Sequence, residues 1–253
     1  MKNDLQKASM LKRISAYTFD MILLVCLVIV LAMALSGMFG YDDYNAQMDA
    51  AYEEYGQKYD INVSMTLEEY EKLTEEEMAR YMQALEAINS DEAVMRTYSM
   101  VVNLTLIIAS LSILMGYLVL ELLVPVWLGN GQTIGKKIFG IALMRTDGVK
   151  VTPFMMFVRT VLGKYTLETM IPVLIVIMLL FQMVGLIGTL VLGLILLLQV
   201  ILLIATRTNS ALHDLLACTV AVDMASQMMF DSPEALLEYK KRISADAANR
   251  AQY

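Results

Sequence analysis

Residues 11–39 read LKRISAYTFDMILLVCLVIVLAMALSGMF, an apolar stretch entered through Lys12 and Arg13 and carrying a carboxylate at Asp20. About 20 apolar residues in succession, rising about 1.5 Å each as a helix, cross a hydrocarbon core about 30 Å thick. The stretch is predicted to be a transmembrane helix behind a short solvated or interfacial start. Arg13, Ala16 and Asp20 share one stripe, and the small Ala16 leaves room between the charged positions. An ionised aspartate facing lipid costs about 2.5 to 3.5 kcal/mol, so Asp20 is expected to face protein or water. Two readings stay open: a residue snorkelling at the membrane edge, and a buried carboxylate paired across a bundle. Ala32-Met33-Ala34 also spells the A-x-A of a leader cleavage site, but the length of such a leader and the carboxylate in its core argue against cleavage.

The 253-residue chain is 58% hydrophobic and 18% charged. Its apolar residues come in blocks rather than at amphipathic spacing, which marks an integral membrane protein. The net charge of −7 is sorted by segment. Residues 1–18 are basic, 41–98 hold fifteen acids against four bases, 127–168 hold six bases against two acids, and the tail from 205 is near balance. By the positive-inside rule the N-terminus and the 127–168 loop are cytoplasmic, and the acidic stretch lies outside a cell membrane. The expected surroundings are a lipid bilayer, with no nucleic-acid partner. Cys26 and Cys218 are far apart and near no ligand cluster, so neither a disulfide framework, a metal site nor a cofactor is expected.

In chain order, residues 1–40 hold the start and the first transmembrane helix. Residues 41–98 form an acidic exterior insert of two or three helices. Thr66 with Glu69 and Thr74 with Glu77 are capping boxes, and the second opens a helix with Met78, Tyr81, Met82, Leu85 and Ile88 on one face. Its charge reads as a solvated face or, more sharply, as a cation-collecting mouth. Residues 99–126 form the second transmembrane helix, with Glu121 about as deep as Asp20 and Trp127 at the interface. Two carboxylates at similar depth either share a proton or straddle a cation or an arginine.

Residues 127–168 are a basic cytoplasmic loop. Gly129, Gly131, Gly135 and Lys136 look like a phosphate loop, but the spacing fails and no strand precedes them. Ile141–Arg145 and Val149–Thr152 around Thr146-Asp147-Gly148 predict a short β-hairpin. Thr152 and Pro153 open a helix whose Arg159 and Lys164 suit the plane of the interface. Residues 169–205 form an apolar hairpin: Ile171–Ala205 would be about 52 Å long as one helix, and Gly185 and Gly188 suggest a break. Two crossings or a re-entrant hairpin return the tail, with Arg207 and Lys240–Arg242, to the cytoplasm, whereas one tilted helix puts it outside. Residues 206–223 carry the one histidine, His213, whose side chain is expected to diverge from Asp214. Residues 224–253 form a cytoplasmic tail with a helix opened by Ser232-Pro233.

The pattern R-x-x-A-x-x-x-D from Arg13, Y-x-x-x-E from Tyr117, G-x-G-Q-T-x-G-K-K from Gly129, a D-G turn at Asp147 and L-H-D-L-L-A-x-T from Leu212 together resembles the RDD family of bacterial membrane proteins. The resemblance covers most of the chain outside 41–98 and the tail from about 224. It implies that Arg13, Asp20 and Asp214 are the signature residues and that Gln132, Thr133, Gly135, Lys136 and His213 accompany them. Cys218 stands where a glycine is usual, and the insert is longer than the family core. The resemblance also implies transport, since members are described as sodium/proton antiporters.

The predicted fold is an all-α membrane protein. It is a small transmembrane helical bundle of four crossings, or two plus a re-entrant or broken hairpin, with the exterior insert and the short hairpin attached. Arg13, Asp20, Glu121 and Asp214 are expected to converge, one arginine against three carboxylates, leaving room for a proton or a cation. The first expectation is a secondary carrier for a cation, a proton or a small ligand, assembled as a homo-oligomer. The second is a membrane adaptor whose polar cluster is a structural lock and whose acidic insert binds an extracytoplasmic protein. With no nucleophile, metal cluster or cofactor loop, an enzyme is not expected.

Overall fold

The computed structural model describes residues 6–180, 185–205 and 210–250. The first five residues, Arg207 and the start of the 206–223 motif lie outside the described residues, as does the middle of the 171–205 break. The chain divides into two compact units, residues 1–28 with 113–253, and residues 29–112. Three helices among the described residues are long and apolar enough to cross a membrane: α1 (Met10–Phe39), α5 (Glu92–Leu128) and α7 (Pro153–Leu179). Each leaves large apolar side chains exposed, among them Val30, Met33, Leu123 and Leu162. This is the outward face that lipid, and not water, tolerates.

In the unit of residues 29–112, α2 (Tyr41–Tyr59), α3 (Leu67–Tyr70) and α4 (Glu75–Ser90) supply three helices between the ends of α1 and α5. Both predicted capping boxes are present, with Thr66 and Thr74 accepting from Glu69 and Glu77 N–H while each glutamate reaches back. Met48, Ile88 and Val94 form this unit's core with Tyr52, Tyr55 and Tyr98 against it. The insert's apolar stripe therefore packs within the unit. Ala84 and Ile88 are its buried positions, while Met82 points outward.

The other unit is built on a two-stranded antiparallel sheet, and here the expected hairpin is corrected. Strand β1 (Ile141–Arg145) pairs with β2 (Thr219–Asp223), in register from Ile141 opposite Asp223 to Arg145 opposite Thr219. The Asp147-Gly148 turn forms, with Arg145 N–H donating to Val149 at 2.8 Å, but only Lys150 bridges back, to Met144. Thr152 then caps the next helix and draws the chain off the sheet. β2 wins the pairing because both strands are covered on two faces. Ile141, Leu143 and Ala221 pack with Ala16 and Met156 on one side, and Ala142, Met144, Val220 and Val222 pack together on the other. A strand buried on both faces needs the apolar run that TVAVD offers and VKVT does not.

The helix expected to lie in the interface is also corrected. Pro153–Phe157, Val158–Met170 and Ile171–Leu180 follow one another without interruption, so α7 is one long helix that contains Arg159 and Lys164. Beyond it α8 (Leu186–Ala205) packs against the end of α7, and Gly188 N–H turns back to the Gly185 carbonyl at the break. A short helix α9 (Leu212–Leu216) leads into β2, and α10 (Pro233–Arg250) follows, its Ala235 N–H capped by Ser232.

Two stretches depart from α-helical winding, and both carry charge. Leu118–Leu123 in α5 and Val158–Met170 in α7 are π-helical: Val124 N–H reaches back to Val119, and Ile171 N–H to Thr166. Such widened turns are frequent at functional sites. Pro125, four residues beyond Glu121, has no N–H to donate, and the Thr160 hydroxyl donates to the Glu121 carbonyl at 2.8 Å. α5 and α7 are thereby joined beside the charged side chains.

Candidate functional site

Five elements of the sheet-bearing unit converge on a cavity of about 330 Å³. α1 contributes Arg13 and Asp20, α5 Glu121, the loop before β1 Lys136, α7 Arg159, Lys164 and Glu168, and α9 His213 and Asp214. With the histidine neutral, the lining holds four cations and four carboxylates. Charges at membrane depth are costly unless compensated, and here each carboxylate has at least one close donor.

Each carboxylate has its own partners. Asp20 Oδ2 accepts the Thr133 hydroxyl at 2.5 Å, and Oδ1 accepts Gly135 N–H at 2.8 Å. Thr133 is the N-cap of the short helix α6 (Ile134–Ile138), so Asp20 holds the start of that helix against α1. This contact requires glycine at 135: a Cβ there would collide with the Ala16 carbonyl and sit 2.9 Å from the Asp20 carboxylate. Glu121 Oε1 meets Lys164 Nζ at 2.5 Å. Asp214 Oδ1 accepts from Arg159 Nε at 2.9 Å and from the Thr219 hydroxyl at 3.0 Å. Glu168 accepts from His213 N–H at 2.9 Å and meets its Nδ1 at 2.7 Å. Gly163 gives His213 this seat, since a Cβ on it would fall 2.5 Å from the histidine Cβ.

Of the predicted residues, Arg13, Asp20, Glu121, Lys136, His213 and Asp214 all line the cavity. Gln132 does not. It is buried in the loop, donating to the Ile141 carbonyl at 2.8 Å and so tying the loop to β1. Asp20 and Glu121 take different donors, Thr133 and Gly135 for Asp20 and Lys164 for Glu121 Oε1, while the Lys136 ammonium stands 3.9 Å from Glu121 Oε2 and 3.4 Å from the Thr133 hydroxyl that Asp20 accepts. One expectation about pairing is overturned. His213 and Asp214 do not fully diverge, since Nε2 lies 3.6 Å from Oδ2. The balance of one arginine against three carboxylates is also corrected, because Arg159, Lys164 and Lys136 supply three further cations and Glu168 a fourth carboxylate.

Arg159, Lys164 and Glu168 are the cavity-lining residues that the local pattern hid. At 3.6 residues per turn Arg159 and Lys164 stand about 140° apart, on different sides of a helix. The widened turn brings both to Glu121, and their signal in the sequence was that two cations fall inside an otherwise apolar helix.

The packing sets the charge states of the groups outside the spans. Burial and the neighbouring Lys164 and Arg159 push the Lys136 amine down to about 7, against the opposing pull of Glu121. Burial alone would raise the Asp214 carboxyl, but the Arg159 guanidinium overrides it and holds the carboxyl below its usual range. Burial, then Arg159, lowers His213 despite Asp214 and Glu168. Among the described residues no group of three or more His, Cys, Asp or Glu side chains is arranged to hold a metal ion.

The fold and site define a helical membrane protein with a charge-balanced polar cavity. The RDD family model matches residues 7–218, and the chain belongs to the RDD family. No curated protein and no solved structure matches it.

Proposed function

We propose that this protein is a small secondary carrier that exchanges a monovalent cation or another small solute for protons through the charged cavity, and not an enzyme. The observation that carries this reading is a cavity of about 330 Å³ lined by four cations and four carboxylates, all but Lys136 and Asp214 on helices of membrane-spanning length. A purely structural lock gains from close packing, because void beside charge forfeits both contact and compensation. A carrier needs the space. In this reading the protein sits in a bacterial plasma membrane with its N-terminus and tail cytoplasmic, α7 and α8 forming a returning hairpin, four crossings in all. It assembles as a homo-oligomer, and the acidic unit lies outside.

The test is dye-reported proton movement in everted vesicles on adding sodium, lithium or potassium, with wild type and Glu121→Gln at matched abundance. A cation-dependent signal lost in the variant supports the carrier. Silence from well-inserted wild type favours the adaptor. That second reading draws on the separate core of residues 29–112 around Met48, Ile88 and Val94, which gives the acidic unit a surface of its own for an extracytoplasmic protein.

A further inference from the structure

The two lysines that line the cavity are held differently. Lys164 Nζ meets Glu121 Oε1 at 2.5 Å. Lys136 Nζ has only the Thr133 hydroxyl at 3.4 Å, an oxygen whose own proton goes to Asp20, and Glu121 Oε2 at 3.9 Å. That same Oε2 is buried without a hydrogen-bond partner, as is Arg159 Nη1, also 3.9 Å away. An ammonium, a carboxylate oxygen and a guanidinium nitrogen thus face one another just beyond hydrogen-bond reach. The remaining carboxylates, Asp20, Glu168 and Asp214, are engaged by their own donors.

We propose that Lys136 is the proton-carrying residue of the exchange, and that its deprotonation leaves Glu121 Oε2 to receive a monovalent cation. The proposal rests on the carrier reading above. The groups facing Lys136 are Asp20 from α1, Glu121 from α5, Arg159 and Lys164 from α7 and Asp214 from α9. Glu121 is already matched by Lys164, and Asp214 by Arg159, so of these three cations Lys136 is the one without a short contact to a carboxylate. The exchange balances. With Lys136 protonated the lining is neutral. When one proton leaves the amine, the lining carries one net negative charge, and one monovalent cation restores neutrality beside the oxygen that lacks a donor. Reprotonation of the amine returns a positive charge to within 3.9 Å of that oxygen and expels the cation.

The test is NMR of the full-length protein in nanodiscs with 13Cε-labelled lysine, titrated from pH 5 to 10, with Lys136→Arg and Lys137→Arg to assign the signal. Lys137 is exposed and serves as the control. One lysine is expected to titrate near pH 7 rather than at the usual value of about 10.4. The signal should persist in Lys137→Arg, vanish in Lys136→Arg, and move to lower pH when sodium chloride replaces choline chloride. In vesicles, Lys136→Arg should lose the cation-dependent proton signal. A Lys136 that stays charged above pH 9 overturns the proposal, as does a Lys136→Arg that exchanges like wild type. If wild-type vesicles exchange while Lys136 does not titrate, the carrier stands and this assignment falls. If wild-type vesicles show no exchange, both fall. The wild-type titration is read directly, so a poorly folding variant does not block the answer.

Discussion

Thr160 donates its hydroxyl to the main-chain carbonyl of Glu121 across 2.8 Å, at full burial. That carbonyl lies four residues before Pro125, which has no N–H to donate, so the helix-breaking residue sits beside a neighbouring helix that supplies a donor. Thr160→Val keeps the shape and removes the donor. It should cost about 1 to 3 kcal/mol, the penalty of a buried acceptor left unsatisfied. A lowered melting temperature of the purified protein, restored by Thr160→Ser, is the expected result. A valine variant that melts like wild type would show that the carbonyl finds another partner.

Asp20 acts first as a cap. It receives Thr133 and Gly135, and through them fixes the loop that presents Lys136. Asp20→Ala should reduce membrane abundance, because two donors lose their acceptor, and Asp20→Asn should fall between it and wild type, since the amide keeps one acceptor oxygen. Gly135→Ala should be at least as damaging, because the obstructing atom is the Ala16 backbone carbonyl and cannot rotate away. Fluorescence-detected size exclusion on detergent extracts reads all three. Normal profiles throughout would remove the cap from the account.

The apolar blocks, the capping boxes and the residues Arg13, Asp20 and Glu121 are legible in the sequence because each depends on local spacing or on charge in an apolar run, whereas Asp214 is reached through the family resemblance. The sheet is not legible. Asp147-Gly148 is a strong local turn signal, and nothing near it announces that Thr219–Asp223, brought from beyond α8, offers the better buried strand. Arg159 and Lys164 are visible as charges that suit the plane of the interface, and nothing local announces the π-helical turn that brings both toward Glu121. Side-chain partners followed the same division. Arg13 and Asp20 both line the cavity, yet the short partner of Asp214 is Arg159.

Arg159 and Asp214 form a buried pair at 2.9 Å with side chains 2% and 3% exposed. Breaking such a pair from one side leaves an uncompensated charge and costs about 3 to 5 kcal/mol. Arg159→Met should therefore be poorly accumulated. Asp214→Leu added to it should recover part of the loss, although Glu121 also loses the guanidinium 3.9 Å away, which limits the rescue. Membrane abundance and thermal stability of the two singles and the double give the coupling. Purely additive losses would mean that the two side chains do not act as a pair.

Stability should vary with pH in two windows whose signs follow from the shifts. Lys136 is lowered on folding, from 10.5 to about 7. Between those values the unfolded chain holds the proton that the folded chain has released, so stability rises with pH across about 7 to 10.5 and the gain is absent below 7. His213 is likewise lowered from 6.5. Its neutral form is favoured in the fold, so its contribution is complete above pH 6.5 and is lost as pH falls toward its folded value. Melting temperature measured from pH 5 to 10 should show both rises. Lys136→Arg, whose charge is fixed, should flatten the alkaline rise and leave the acidic one, while His213→Gln should do the reverse. Equal flattening by both variants would mean that the two groups titrate as one coupled unit through Arg159 and Asp214.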